Sequence, residues 1–116
     1  MFAFENITLS GDGRQLSATC RIAAEQPFFA GHFPDAPIMP AVAQLQMAEA
    51  LLQTRSDWPD RLSGGSAIKF LRRVAPGSEL QIRLAHDTPG TLRFTLEQDG
   101  CVVAKGTLQT AGDGVG

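Results

Sequence analysis

Concentrated positive charge is missing from this chain. Ten Lys and Arg are set against 12 Asp and Glu, for a net charge of -2 and a pI near 5.6. No basic block is longer than Arg72-Arg73. That argues against a polyanion-binding face, and no nucleic-acid partner is expected. Cysteine and histidine are scarce at two each. They form no cluster with metal-ligand spacing, so neither a metal nor a cofactor is expected. Cys20 and Cys101 lie far apart in apolar, strand-like runs, and both are expected as buried free thiols. No apolar run approaches the ~20 residues of a membrane span. The N-terminus shows no charged segment leading into an apolar one. The expected setting is the cytoplasm.

The 116 residues are 43% hydrophobic and 19% charged, which suits a single globular domain, expected over 1–110 with a flexible tail over 111–116. Phe2, Phe4 and Ile7 suggest a first strand before the turn residues SGDG. Gln15 to Ala23 alternates Leu16, Ala18, Cys20 and Ile22 with polar residues, the pattern of a half-buried strand. A helix is expected from about Ala41 to Gln53, with Pro40 in its first turn and a broad apolar face of Val42, Leu45, Met47, Ala48, Leu51 and Leu52. The stretch from Thr54 to Ser66 reads as a polar loop containing Trp58, the only tryptophan. Ser66 to Val74 reads as a strand. Turns at Pro76-Gly77, Pro89-Gly90 and Asp99-Gly100 then separate three alternating runs, giving an expected meander of four strands. One helix and about six strands give an α+β architecture in which a curved antiparallel sheet wraps the helix.

The least ordinary stretch is FFAGHFPDAPIMPAVAQLQMAEALL, Phe28 to Leu52, where three prolines and one of the two histidines stand directly before the helix. Its first half resembles the PFFxGHFPxxPVMPGV stretch of the bacterial 3-hydroxyacyl-acyl-carrier-protein dehydratases. IKFLRRVAPGSELQIRL, from Ile68 to Leu84, resembles the same family's strand–PGD–strand segment. The resemblance runs from about Phe4 to Gln109 and implies the hot-dog fold. It also implies an acyl carrier protein bearing a phosphopantetheine-linked chain as partner, and a site shared across a dimer, either of identical chains or with a related subunit.

By that resemblance His32 takes the place of the general base. The catalytic carboxylate fourteen residues further on is replaced by Gln46, and the glycine whose backbone N–H supports the thioester carbonyl is replaced by Ala41. Phe29, Phe33, Ile38 and Met39 fall where the family shapes its acyl tunnel. The chemistry is coherent with these residue types. Histidine is a base near neutrality, and a helix N-terminus offers N–H groups and a positive dipole end to an enolate-like oxygen. Gln46 can orient a water or hydroxyl but cannot protonate a leaving group, a loss worth on the order of 10²–10⁴ in rate. Glu49, one turn on, shares a face with Gln46 and is a candidate to substitute in part for the acid, with the edge of the apolar face or solvent as its other placement. Arg72 and Arg73 suit either a solvated strand end or an acidic carrier. His86 reads as structural. Three readings follow: a dehydratase, a hot-dog thioesterase, or one subunit of a heterodimer whose partner supplies the carboxylate.

Overall fold

Alternation decides which side of each strand meets the core. The computed structural model describes residues 2–29, 38–59 and 61–111. Strand β1 covers Phe4–Leu9 and β2 covers Gln15–Arg21. A 3-10 turn at Pro27–Phe29 precedes helix α1, Ala41–Leu52. Strands β3 (Arg61–Phe70), β4 (Glu79–Ala85), β5 (Thr91–Gln98) and β6 (Cys101–Ala111) complete the order. Ala111 is thus the last residue of β6, and the tail beyond it lies outside the described residues.

The period-2 runs place Leu16, Ala18 and Cys20 of β2, Leu80, Ile82 and Leu84 of β4, and Leu92, Phe94 and Leu96 of β5 on one buried face. Against this face packs α1, through Met47, Ala48, Leu51 and Leu52, all 0% exposed. The result, among the described residues, is one antiparallel six-stranded sheet carrying a single α-helix, the hot-dog arrangement.

The strand order is β1-β2-β4-β5-β6-β3. It corrects the expected four-strand meander. Only β4, β5 and β6 form one, because β3 pairs with β6 at the far edge and β2 takes the place beside β4. The expected loop is also too long: β3 already begins at Arg61. It ends at Phe70, short of Val74. The small polar residues of Leu62–Gly65 hide a strand because this edge has little to bury; among its described side chains only Leu62 and Ile68 are even half-buried.

Turn chemistry holds closely. Asp99 and Gly100 both have positive φ (52° and 79°), as a two-residue hairpin loop between Gln98 and Cys101 requires. The cysteine expectation holds for Cys20 and fails for Cys101, which is exposed as the first residue after that turn. Burial pushes the Cys20 thiol above its ordinary pKa.

β3 carries a bulge where the register passes from Ser66 opposite Thr107 to Lys69 opposite Lys105. Ala67 there has φ 52°, and Ile68 crowds Gly106 so closely that an added Cβ would lie 2.7 Å from the Ile68 Cα. Because that neighbour is backbone, Gly106→Ala must distort the β3–β6 ladder. It should destabilise by about 1–3 kcal/mol, read as a lower urea midpoint. Ala67→Gly should do the opposite, since the left-handed strain it relieves, about 1–2 kcal/mol, exceeds the roughly 0.5–1 kcal/mol entropy cost of glycine. For the thiols, the expected outcome is that a maleimide modifies Cys101 in the native protein while Cys20 reacts only after denaturation. Equal rates at both would contradict the burial of β2.

Candidate functional site

Helix α1 starts where the chain has no freedom left. Pro40 is its N-cap, with φ -65° and ψ 154° and no side-chain capping bond. Its carbonyl accepts from the N–H groups of both Ala43 and Gln44, at 3.1 and 3.2 Å. The N–H groups of Ala41 and Val42 belong to the first turn and have no intrahelical acceptor. One residue before the cap, the Met39 N–H donates to the Val74 carbonyl at 2.8 Å. The approach to the helix is therefore stitched to the segment that follows β3.

That segment is fixed in turn from the sheet. β6 has an irregular register between Leu96 and Glu97 of β5, and there the Val103 carbonyl accepts from the N–H groups of Leu71 (2.8 Å) and Arg72 (3.2 Å). A cleft of about 400 Å³ forms between the two stitched segments. It is lined by Ile38, Met39, Pro40, Ala41 and Gln44 on one side and Phe70 to Arg73 on the other. Its inner wall is apolar and its rim carries two exposed arginines. An open helix N-terminus beside an apolar wall with cations at the mouth suits an extended ligand with an anionic end, a polar centre and an apolar tail.

Of the residues singled out from the sequence, Ile38, Met39 and Ala41 share this cleft, with Met39 buried and Ala41 exposed. Phe29 is buried in the core beside the half-buried Phe28, ring centroids 4.8 Å apart. His32 and Phe33 lie outside the described residues. Gln46 is exposed and lines a different groove, with Val42, Leu45, Glu49, Leu62, Gly64, Gly65 and Leu108. Within one chain, then, Ala41 and Gln46 do not face the same space. His86 is half-buried with its ring against Trp58, centroids 5.4 Å apart, as a structural histidine would be.

The expected apolar face of α1 needs correction at Val42. It is 62% exposed, while Gln44 is only 3% exposed and takes the buried position. Gln44, Met47, Ala48 and Leu51 follow the i, i+3, i+4, i+7 spacing, so the periodicity was present, broken by one polar letter. Val42, Leu45, Gln46 and Glu49 repeat the same spacing as a second stripe toward β3. Gln44 is thus the residue that sequence reasoning passed over. Its Nε2 donates to the Met39 carbonyl at 3.5 Å, and its Oε1 is buried with no hydrogen-bond partner. Among the described residues no group of His, Cys, Asp and Glu could hold a metal, and no helix is long and apolar enough to cross a membrane.

Comparison with known proteins assigns this geometry a lineage. The ApeI-like family, described as ApeI dehydratase, matches residues 8–107. A FabZ 3-hydroxyacyl-[acyl-carrier-protein] dehydratase of Thiobacillus denitrificans is 31% identical over 110 residues, covering 83% of this chain and 76% of the relative. An uncharacterized protein from Erwinia carotovora subsp. atroseptica superposes with a TM-score of 0.74 at 22% identity, over 94% of this chain and 92% of the other. The dehydratase heterocomplex ApeI:P from Xenorhabdus doucetiae superposes with a TM-score of 0.68 at 23% identity, over 94% and 95%. At those identities the two structures speak for the fold.

Glu49 has a settled task in this geometry. Its Oε2 accepts the Leu62 N–H at 2.8 Å, pinning the second stripe of α1 to the start of β3. Glu49→Ala should leave that partly buried N–H unpaired and cost about 1–3 kcal/mol, whereas Glu49→Gln keeps an acceptor and should lose much less. Chemical denaturation of the two variants checks this, and equal midpoints would show that the pin carries no weight.

Proposed function

The chain belongs to the ApeI-like dehydratase family, and from that premise we propose that it acts on 3-hydroxyacyl thioesters of an acyl carrier protein, with His32 as the general base. The observation that carries the reading is the cleft at the N-terminus of α1, where the first-turn N–H groups open on an apolar wall beneath two arginines. The thioester carbonyl would lie against the backbone N–H of Ala41, where the helix dipole and N–H groups meet the charge of an enolate-like intermediate. The acyl chain would run inward past Ile38 and Met39, with Phe29 and Phe33 completing its surroundings. The phosphopantetheine phosphate and the acidic carrier would meet Arg72 and Arg73.

In the elimination, His32 takes a proton from C2, a double bond forms between C2 and C3, and the C3 oxygen departs. The proton that makes it water must come from elsewhere, since Gln46 has none to give. A water held by the Gln46 amide gives that proton in this reading, the hydroxide it becomes takes back the proton held by His32, and the net change is loss of one water molecule.

A second chain fits the same reading. The stripe of Val42, Leu45, Gln46 and Glu49 faces an open groove, and β3 is an edge strand with most of its described side chains exposed. A two-fold dimer through this edge would carry Gln46 of one subunit toward the cleft of the other. If the partner is a related chain with a carboxylate at that position, this chain supplies only the histidine half. The exposed glutamine where an acid belongs favours that second reading.

Turnover of 3-hydroxyacyl- and trans-2-enoyl-carrier substrates, scored for dehydration, hydration and free thiol, tests the assignment. His32→Ala should abolish all thioester chemistry while leaving the fold intact; unchanged turnover rejects the site. Gln46→Glu should raise dehydratase or hydratase activity on the order of tenfold or more in the two-fold dimer, where the partner's cleft would desolvate the carboxyl, raise its pKa and keep part of it protonated. A fall in that variant instead points to water-positioned hydrolysis, the thioesterase reading. Sedimentation should show a dimer at micromolar concentration. Inactivity of both wild type and Gln46→Glu alone would favour the two-chain reading.

A further inference from the structure

A buried side-chain carbonyl without a hydrogen bond costs about 1–3 kcal/mol, and such groups are few enough in native proteins that each calls for a physical reason. Gln44 presents one. It is 3% exposed, and every other buried residue of α1 is apolar. Its amide cannot be turned to hide the cost, because Nε2 is the atom that can donate to the Met39 carbonyl at 3.5 Å. That bond folds the side chain back toward the helix N-terminus and leaves Oε1 as a buried acceptor with no partner. Gln44 also lines the cleft that contains Ala41, Ile38 and Met39. A helix N-terminus and a residue that carries an unpaired buried acceptor therefore line the same cleft. The first supplies N–H donors and needs an acceptor; the second needs a donor.

Resting on the thioester reading above, we infer that the Gln44 Oε1 accepts a hydrogen bond from the 3-hydroxyl of the bound acyl chain. A 3-hydroxyacyl thioester has the two required groups close together, its carbonyl at C1 and its hydroxyl at C3. With the carbonyl at the Ala41 N–H, the remaining chain runs to the inner wall, where Gln44 is buried. The amide N–H groups of the pantetheine arm lie the other way, toward Arg72 and Arg73 at the rim. The consequence is selectivity. A substrate with the hydroxyl satisfies Oε1, whereas a saturated chain or the enoyl product leaves it unpaired, and a site built to bond a hydroxyl rejects analogues lacking one. Gln44 is a substrate-binding residue here, distinct from Gln46 on the other stripe of the helix.

The test measures binding of 3-hydroxyoctanoyl-pantetheine and octanoyl-pantetheine by calorimetry. The full chain carries His32→Ala so that the ligand is not turned over, and Gln44 is either retained or replaced by Met or by Leu. The expected result is about a tenfold preference for the hydroxyacyl ligand when Gln44 is present, abolished in both replacements. Thermal melting of Gln44→Met alone should show a midpoint unchanged or higher, since an unpaired buried oxygen has been removed. A preference that survives both replacements, or one absent with Gln44 in place, overturns the assignment and leaves the thioester reading standing. An equal loss for the two ligands assigns the oxygen to a pantetheine N–H and overturns the hydroxyl. Binding of neither ligand with Gln44 in place overturns both this inference and the reading it rests on. A lowered melting point with the preference intact makes Gln44 a bracket for Met39 and nothing more.

Discussion

Between Met39 and Val74 one backbone hydrogen bond of 2.8 Å joins the approach to α1 to the segment leaving β3. Much of the candidate site depends on it. Pro40 fixes the direction in which the helix departs, but only this bond fixes where it departs from. The far side is equally constrained, because Val103 holds Leu71 and Arg72 at an irregular point of β6. Two segments distant in sequence thereby become facing walls. Neither wall relies on a flexible side chain for its position, so the helix N-terminus is preorganised for a ligand rather than assembled by one.

The helix itself serves two faces. Gln44, Met47, Ala48 and Leu51 meet the sheet, while Val42, Leu45, Gln46 and Glu49 face the edge strand, and Glu49 ties that second face to Leu62. A 12-residue helix with one buried stripe would have room for polar residues all along its other side. Val42 instead stands 62% exposed on that second side. The two candidate amides fall on different faces, Gln44 toward the cleft of its own chain and Gln46 toward the groove beside β3.

The strands β2, β4, β5 and β6 were legible because strict alternation and the Pro-Gly and Asp-Gly turns carry local information. What failed was non-local or came from an exception to polarity. No pattern in Arg61 to Ser66 announces a strand, since its pairing partner lies some forty residues away in β6 and its outer side buries little. Neither can periodicity reveal that β3 skips its sequence neighbour β4. Hydrophobicity alone places Val42 in the buried stripe and passes over Gln44, and the one residue that breaks the stripe is the informative one. Cys101 looked buried from its apolar neighbours, whereas the hairpin turn before it places it at the exposed end of a strand. The motif around His32 gave the family directly. The cleft that gives Ala41 its surroundings could not be read, because half of its lining comes from Phe70 to Arg73.

The strand order also has a kinetic side. β4, β5 and β6 are joined by two tight turns and can pair almost as soon as they exist, whereas β2 must find β4 across some sixty residues and β3 must find β6 across about forty. Closing long loops costs entropy before any contact rewards it. The three-strand core is therefore expected to form first and to exchange its amide hydrogens last. The opposite margin, where β3, its bulge at Ala67 and the Leu71–Val74 wall sit, should be among the first parts to open. The cleft therefore sits on a late-forming border of the scaffold, outside the three-strand core, and its fixed walls depend on pairings made after that core is in place.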